Sequence, residues 1–264
     1  MHPNTIRAVD NQIQASNSLT PRHPFSCSLI GPRGCSKATV LINMLTNPSI
    51  YRGYFHKIIC MTPSLRLDPK WSSLLAERGI LAKGSNDTDD SAIDLTGSRA
   101  QSRRFTGKLD PDLMFHEYRQ DVLETLIREQ EDGFTRYGDN MDRVLLIIDD
   151  APALDVFSTK KDNLYNKLAV YLRHVRTSCI QVSQNFKSMP RIVRNNQSNI
   201  LLFRTENIGE LKKVWDEYNL MPNFKSFVNL YTGLTSQPFS FIHINTQNDP
   251  SHQLIQNLTR YITR

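Results

Sequence analysis

Residues 25–39 read FSCSLIGPRGCSKAT, and this stretch decides the fold. Its first six residues are apolar or small, as in a buried strand. A glycine-containing turn follows, and a helical pattern starts near Lys37. The stretch therefore predicts a strand, a tight loop and a helix in direct succession.

The loop after this strand partly matches the phosphate-binding pattern G-x-x-x-x-G-K-[ST]. In that pattern the glycines let backbone N–H groups curl around phosphate oxygens, the lysine approaches the terminal phosphates, and the hydroxyl binds Mg²⁺. Gly31 and Lys37 occupy two of the four fixed positions. A nucleotide site is therefore one interpretation of the loop, and an ordinary strand-to-helix turn is the other.

The loop departs from the pattern at the other two fixed positions. Ser36 replaces the second glycine, which places a Cβ beside the phosphates, and Ala38 replaces the hydroxyl residue, which removes a Mg²⁺ ligand. Gly34 and Thr39 are the neighbours that could supply the missing functions. The predicted nucleotide-binding residues are Gly31, Gly34, Ser36, Lys37, Ala38 and Thr39, with Thr39 also a candidate metal ligand.

Short apolar runs and helical patterns alternate along most of the chain. Further strand-like runs lie at 57–62, 144–149, 178–183 and 199–204, and helical patterns lie at 37–45, 110–131, 161–175 and 208–218. Asp110 and Pro111 suit the N-cap and the first residue of the second helix. The alternation predicts an α/β fold with a mostly parallel central sheet, helices on both faces, and a ligand site at the carboxyl ends of the strands. Near the C-terminus, residues 239–244 predict an edge strand, and a helix is expected from about residue 250.

The apolar run VLLII at 144–148 is followed by two adjacent carboxylates, Asp149 and Asp150. Such a pair at a strand end suits Mg²⁺ binding by Asp149 and activation of the attacking water by Asp150. A strand that stops at a polar turn before Pro152 is the alternative. Because the carboxyl ends of parallel strands share one edge, we expect Lys37 and Asp149 to meet at that edge and to face away from the core.

The next strand-like run, SCIQVS at 178–183, is followed by Gln184. An amide at this point can reach the terminal phosphate and the lytic water, although an exposed glutamine without a role fits the pattern equally well. Arginines flank the same strand, namely Arg173, Arg176, Arg191 and Arg194. They can complete the site of a neighbouring subunit or form a solvated basic surface.

Composition excludes several classes of protein. The chain has 264 residues, 39% of them hydrophobic, which is enough for a buried core. Four cysteines without C-x-x-C spacing or a Cys/His cluster argue against a zinc site or a disulfide scaffold. No apolar run is long enough to span a bilayer and the N-terminus lacks a signal-peptide core, so we expect neither export nor a membrane partner. The net charge of +6 favours a polyanionic partner.

An insertion is predicted at about 83–108, where the acidic segment 83–98 precedes the basic segment 99–108. A solvated loop is one interpretation, and contact with DNA phosphates is the other. The candidate DNA-binding residues are Arg99, Arg103, Arg104 and Lys108.

Five stretches of the chain resemble the viral DNA-packaging ATPases of the HerA/FtsK class. They are FSCSLIGPRGCSKATVLINML (25–45), KIICMTPS (57–64), RVLLIIDDAP (143–152), LAVYLRHVRTSCIQVSQNF (168–186) and MPRIVRNNQSNILLFR (189–204). The resemblance is to the poxvirus-type branch found in large DNA viruses and virophages, and it covers about residues 23–218. Its most specific part is an Arg-His helix end, a strand ending in Ser-Gln, and then Pro-x-x-x-Arg-Asn.

The resemblance implies a RecA-like P-loop domain that acts in an oligomeric ring, usually a hexamer, and uses ATP to thread double-stranded DNA into a capsid. Residue by residue, it implies that Lys37 contacts phosphate, Asp149 holds Mg²⁺, Asp150 is the catalytic carboxylate, Gln184 is the sensor and Arg194 is the arginine finger. Aspartate at 150 is shorter than the glutamate usual in the wider class.

The resulting interpretation is an N-terminal extension at 1–22, an ATPase domain at 23–218 and a C-terminal appendage at 219–264 packed on or beside the core. The expected partners are double-stranded DNA, the capsid or portal vertex, and further copies of the chain, in the host cytoplasm, a viral factory or the virion. Two alternatives are a degenerate P-loop protein that binds DNA or assists assembly without turnover, and a small-molecule kinase. A kinase needs no carboxylate pair followed by a sensor glutamine.

Overall fold

The computed structural model describes residues 15, 17–65, 68–71, 109–154, 156–157 and 163–262. Within them the α-helices are α1 (Lys37–Thr46), α2 (Gln120–Tyr137), α3 (Leu164–Tyr171), α4 (Arg191–Asn195), α5 (Ile208–Tyr218) and α6 (Phe224–Leu234). The strands are β1 (Ser26–Ile30), β2 (Lys57–Met61), β3 (Met114–Phe115), β4 (Val144–Ile148), β5 (Thr177–Ser183), β6 (Asn199–Phe203), β7 (Phe241–Asn245), β8 (Leu254–Gln256) and β9 (Arg260–Tyr261).

The described strands form one sheet in the order β3-β2-β4-β5-β1-β6-β7-β8-β9. All neighbours from β3 to β6 are parallel, and those from β6 to β9 are antiparallel. Because β5 lies between β1 and β4, the loops that follow these three parallel strands emerge side by side at one edge. This edge, the carboxyl edge, is where the sequence predicts the ligand site.

Helices cover both faces of the sheet. On one face, α1 buries Leu41 and Leu45 against side chains of β1, β4 and β6. On the other face, α2 and α3 pack on alternate residues of β4, while α5 and α6 pack on β6 and β7. The apolar run of β4 is buried throughout, as expected for a strand covered on both sides. The predicted α/β fold with a mostly parallel sheet is therefore confirmed.

The predicted helix at 110–131 is wrong at its start. Residues 111–113 form a single 3₁₀ turn, and Met114 and Phe115 then pair in parallel with Cys60 and Met61 of β2. The helix begins only at Gln120. Asp110 does accept a backbone N–H, that of Asp112, but within a local turn. Pairing with an open sheet edge therefore prevails over the local helix signal in this segment.

The C-terminal prediction is also wrong in part. The strand predicted at 239–244 is observed as β7, but it lies inside the sheet because β8 and β9 follow it. Only a 3₁₀ turn, Pro250–His252, occupies the start of the predicted helix. Helix α6 was not predicted, although its buried Phe227 and Tyr231 have helical spacing and Asn223 caps it. Among the described residues, no helix is both long and apolar enough to cross a membrane.

Candidate functional site

The loop that follows β1, residues 31–39, is called the phosphate loop here, and its first residue must be glycine. A Cβ on Gly31 would lie 2.8 Å from the Cβ of Phe203 in β6 and 2.7 Å from the Sγ of Cys35. The N–H of Gly31 donates to the carbonyl of Ser183 at 3.3 Å, which ties the loop to the end of β5. The start of the loop is thus fixed by close contacts with both neighbouring strands.

The phosphate loop has the backbone of an anion-binding turn. Gly34 has φ +83° and Ser36 has φ +73°, both in the left-handed region. Ser36 is the N-cap of α1 but makes no side-chain cap hydrogen bond, and the first turn of α1 contains no acidic residue. The positive end of this helix therefore has neither a side-chain cap nor an acidic neighbour in its first turn, as suits a site for an anion.

Lys37 holds its charge within the loop. Its Nζ donates to the carbonyl of Gly31 at 2.6 Å and to that of Pro32 at 2.8 Å. The Sγ of Cys35 lies 3.7 Å from the same nitrogen, and burial raises the pKa of that thiol. Since neutral carbonyls are weaker partners for an ammonium than phosphate oxygens, Lys37 can exchange them for a bound phosphate.

The missing hydroxyl of the phosphate-binding pattern is not replaced at the same point of the helix. Ala38 occupies the position after Lys37, and Thr39 is one residue further, roughly 100° around the helix. Both side chains are partly exposed. Thr39 is therefore near the site but approaches it from a different direction.

Asp149, directly after β4, is a buried carboxylate with 8% of its surface exposed. Its Oδ2 accepts hydrogen bonds from Thr62 Oγ1 at 3.1 Å and from Trp71 Nε1 at 3.0 Å. Burial raises the pKa of Asp149, and these two hydrogen bonds oppose the shift. The expectation that this residue faces away from the core is wrong, because its packing against Trp71 buries it.

Asp150 is more exposed than Asp149 and has φ +52°, a left-handed backbone that turns the chain sharply away from β4. The N–H of the next residue, Ala151, donates to the carbonyl of Val182 in β5 at 3.1 Å. The turn is thus fastened to the neighbouring strand, and its carboxylate stays at the carboxyl edge.

The carboxylates suit a hydrated Mg²⁺. No group of three or more His, Cys, Asp or Glu side chains able to hold a metal occurs in the part of the chain that the structure describes. Mg²⁺ does not need such a group of side chains, because it keeps several waters and binds one or two carboxylates together with substrate phosphates. Both side-chain hydrogen bonds to Asp149 end on Oδ2, and the backbone N–H of Asp150 also donates to this carboxylate.

Gln184 is exposed immediately after β5, between the phosphate loop and the carboxylates. The turn that carries it is well held. Ser183 Oγ donates to the carbonyl of Asn185 at 3.0 Å, and the N–H of Phe186 donates to Glu210 Oε2 at 2.9 Å. The structure therefore brings the predicted sensor to the same edge as Lys37 and Asp149.

Arg194, on α4, contacts its own chain. Its guanidinium donates to the carbonyl of Met189 at 3.3 Å, lies 3.6 Å from a carboxylate oxygen of Glu217 and stacks over the ring of Phe186 at 5.2 Å. Arg191 on the same helix is exposed. An action of Arg194 on another subunit would require it to leave Glu217.

Two more arginines flank β5, and they differ in burial. Arg176 is buried and pairs with Asp139, whereas Arg173 is exposed. The candidate DNA contacts lie outside the described residues, and they are Arg99, Arg103, Arg104 and Lys108.

Two partners of the site were missed in the sequence. Thr62 directly follows the run that forms β2, so the strand-end rule that identified Asp149 and Gln184 could also have identified it. Trp71 has no such local signal, because it meets Asp149 only through the folding of a segment 78 residues away.

Comparisons with known proteins support the fold. No protein-family model matches the chain. The uncharacterized protein 075L of Invertebrate iridescent virus 6 is 25% identical over 150 residues, which cover 56% of this chain and 57% of that protein. The match thus spans little more than half of this viral relative.

Two solved structures share the architecture over nearly the whole chain. The genome packaging NTPase B204 from Sulfolobus turreted icosahedral virus 2, in complex with AMPPCP, has a TM-score of 0.54 and 16% identity over 88% of this chain and 96% of that one. The DNA-packaging ATPase B204 from Sulfolobus turreted icosahedral virus has the same TM-score and identity, covering 89% and 97%. The resemblance to viral packaging ATPases that the sequence indicated is confirmed at the level of the fold, which the chain shares with both structures.

Proposed function

We propose that the chain is an ATPase that drives double-stranded DNA into a viral capsid as a subunit of an oligomeric ring. The observation that carries the proposal is the arrangement of the carboxyl edge. There a cationic loop at a helix N-terminus, an exposed amide and a carboxylate pair follow β1, β5 and β4, which are adjacent. These are the groups that phosphoryl transfer to water requires.

In this proposal the phosphate loop binds the triphosphate of ATP. The N–H groups at the start of α1 donate to phosphate oxygens, and Lys37 moves from the carbonyls of Gly31 and Pro32 to the terminal phosphates. Asp150 accepts a proton from the attacking water, and Gln184 orients that water.

Asp149 and Thr39 are the residues that would hold Mg²⁺ beside the phosphates. The ion would supply neutralisation of the phosphate charge. Asp149 already has its orientation set by Thr62 and Trp71, so it does not need the ion to be positioned.

The decisive experiment measures ATP binding and phosphate release by the full chain, with and without duplex DNA. We expect DNA-stimulated hydrolysis that is absent from Lys37→Ala. Phosphate transfer to a small acceptor instead of to water would favour a kinase and contradict the proposal.

One observation supports a second candidate, a nucleotide-binding protein without turnover. Ala38 lacks the hydroxyl that binds Mg²⁺ in the phosphate-binding pattern. In that case the native protein would bind ATP but release no phosphate under any DNA condition, and Ala38→Ser would be the change that starts hydrolysis.

We further propose that Arg194 leaves Glu217 on ring assembly and enters the site of a neighbouring subunit. Mixing Arg194→Ala subunits with Lys37→Ala subunits tests this, because some mixed interfaces retain one intact copy of each residue. Recovery of part of the activity is expected. No recovery in demonstrably mixed rings would assign Arg194 to its own chain, where its ion pair and ring contact already hold α4.

DNA contact is proposed for the basic segment 99–108. Replacing Arg99, Arg103, Arg104 and Lys108 together should weaken DNA binding and flatten its salt dependence, by up to about 0.9 for each lost phosphate contact. An unchanged salt slope would remove this segment from the DNA-binding surface.

The capsid vertex and the viral factory or virion are the proposed places of action, which imaging of tagged protein in infected cells would test.

A further inference from the structure

An exposed phenylalanine lies at the carboxyl edge, on the side of the phosphate loop away from the carboxylates. Phe203 at the end of β6 pairs with Phe241 at the start of β7, because these strands are antiparallel. Phe239, two residues earlier, is 55% exposed. The loop that joins α6 to β7, residues 235–240, therefore emerges beside the loop that follows β1.

A chain of close contacts connects this loop to the phosphate loop. Phe203 packs so closely against Gly31 that a Cβ added to the glycine would lie 2.8 Å from the Cβ of Phe203. The ring of Phe203 lies 5.2 Å from the ring of Phe241. Tyr231 of α6 donates to the carbonyl of Phe203 at 2.6 Å, and the N–H of Thr235 donates to the carbonyl of Tyr231. Both ends of the 235–240 loop are thus anchored to the end of β6.

Phe239 has an unfavourable backbone conformation, and its side chain is not buried in compensation. Its φ is +65°, a left-handed backbone that bulky residues rarely adopt. Its ring is mostly in solvent, so burial does not offset the strain. Ser36 and Asp150, two residues of the proposed active site, share this backbone region at the same edge.

The strand order determines which way a nucleotide must lie. Asp149 and Asp150 follow β4, on one side of β1, while β6 and β7 are on the other side. A triphosphate whose terminal phosphate points to the carboxylates leaves its nucleoside over the end of β6. Ile208, which starts α5 on this side, is also exposed, at 52%.

We propose that Phe239 is the stacking platform for the base of the bound nucleoside triphosphate. An aromatic ring stacks on any base, and its loss typically weakens binding by roughly 5- to 150-fold. This proposal rests on the proposed function, because it places the base of the same nucleotide whose phosphates bind the phosphate loop.

The experiment compares equilibrium binding of ATP with binding of inorganic tripolyphosphate, which has no base. Phe239→Ala should weaken ATP binding by roughly 5- to 150-fold and leave tripolyphosphate binding unchanged. Phe239→Trp should retain ATP affinity. The matched control is Phe134→Ala, since Phe134 on α2 is 46% exposed and belongs to a different surface.

A second variant excludes misfolding as the cause of any loss. Phe239→Gly accepts φ +65° without strain, so it should unfold at the same or a higher temperature than the native protein while showing the same loss of ATP affinity. Equal ATP affinity in the native and Phe239→Ala proteins, or equal loss of both ligands, would overturn the proposal. So would a changed oligomeric state with unchanged ATP affinity, which would make Phe239 a contact between copies. If the native protein bound neither ligand, the proposed function itself would fail.

Discussion

The phosphate loop and the carboxylate pair lie at one edge of the sheet, yet the molecule holds their charges in different ways. Lys37 is bonded to carbonyls five and six residues before it. Asp149 is bonded to Thr62 and Trp71, which are 87 and 78 residues away. The cation is held locally and stays partly exposed, whereas the anion is held by distant segments and is buried.

This difference predicts that the phosphate loop controls ligand binding, whereas the buried carboxylate controls both ligand binding and stability. Changes in the exposed loop should alter ligand binding with little effect on the free energy of unfolding. Changes at the buried carboxylate should alter both, since its removal leaves hydrogen-bond donors without partners. Variants in each half of the site test this separation.

Lys37→Ala should reduce nucleotide affinity by roughly 10²-fold or more and abolish hydrolysis, because a charged partner of the phosphates is lost. The free energy of unfolding should stay within about 0.5 kcal/mol of the native value, as for ordinary surface changes. Binding assays and chemical denaturation measure the two effects. Arg33→Ala, an exposed change in the same loop, is the matched control and should retain most of the affinity. Full ATP affinity in Lys37→Ala would mean that the loop does not bind phosphate.

Asp150→Asn should slow hydrolysis by about 10² to 10⁴ without weakening ATP binding, the usual effect of losing a general base. Asparagine tolerates the left-handed backbone at φ +52°, so the turn should be preserved. Single-turnover hydrolysis and nucleotide binding separate the two effects. Unchanged turnover would remove Asp150 from the mechanism.

Asp149→Ala should both stop hydrolysis and destabilise the fold by about 1 to 3 kcal/mol, because Thr62 and Trp71 lose their buried acceptor. Denaturation with and without Mg²⁺ and nucleotide measures the loss of stability, and phosphate release measures the loss of hydrolysis. A variant as stable as the native protein would contradict the proposed difference between the two halves of the site.

Asp149→Asn adds a pH test. Burial raises the pKa of Asp149 above its ordinary value of 3.8, so the folded state binds this proton more tightly than the unfolded state. The stability from this group is therefore fully present below pH 3.8 and is lost as the pH rises through the raised pKa. Asparagine cannot ionise, so this part of the pH dependence should disappear from denaturation curves measured without metal. An unchanged curve would show that Asp149 does not cause it.

Ser36→Gly should have the smallest effect, with a gain in stability of about 1 kcal/mol, because glycine adopts φ +73° without the steric cost that serine bears. Closer approach of the backbone N–H groups should also raise ATP affinity, by up to about tenfold. Thermal unfolding and ATP titration check both effects. Loss of affinity in this variant would show that the serine hydroxyl serves the site.

Much of the site follows from local patterns. The apolar runs predicted β1, β2, β4, β5 and β6 to within a residue or two at each end, because burial on both faces requires continuous apolar strands. The phosphate loop could also be predicted from local sequence, because its glycines, its lysine and the start of α1 are adjacent along the chain. The polar residues just after β4 and β5 could be assigned to one edge as soon as a parallel sheet was predicted.

The tertiary structure alone decided the strand order, the partners of Asp149, the attachment of Arg194 to Glu217 and the place of Phe239. None of these has a local signal, because each depends on segments far apart in sequence that meet only after folding. The start of the helix predicted at 110–131 and the helix predicted from about residue 250 show the same limit. In both places the chain instead forms short strands, β3 at one end of the sheet and β8 and β9 at the other. Periodicity reports which side chains of a segment are buried, whereas the available neighbour determines whether that segment pairs as a strand.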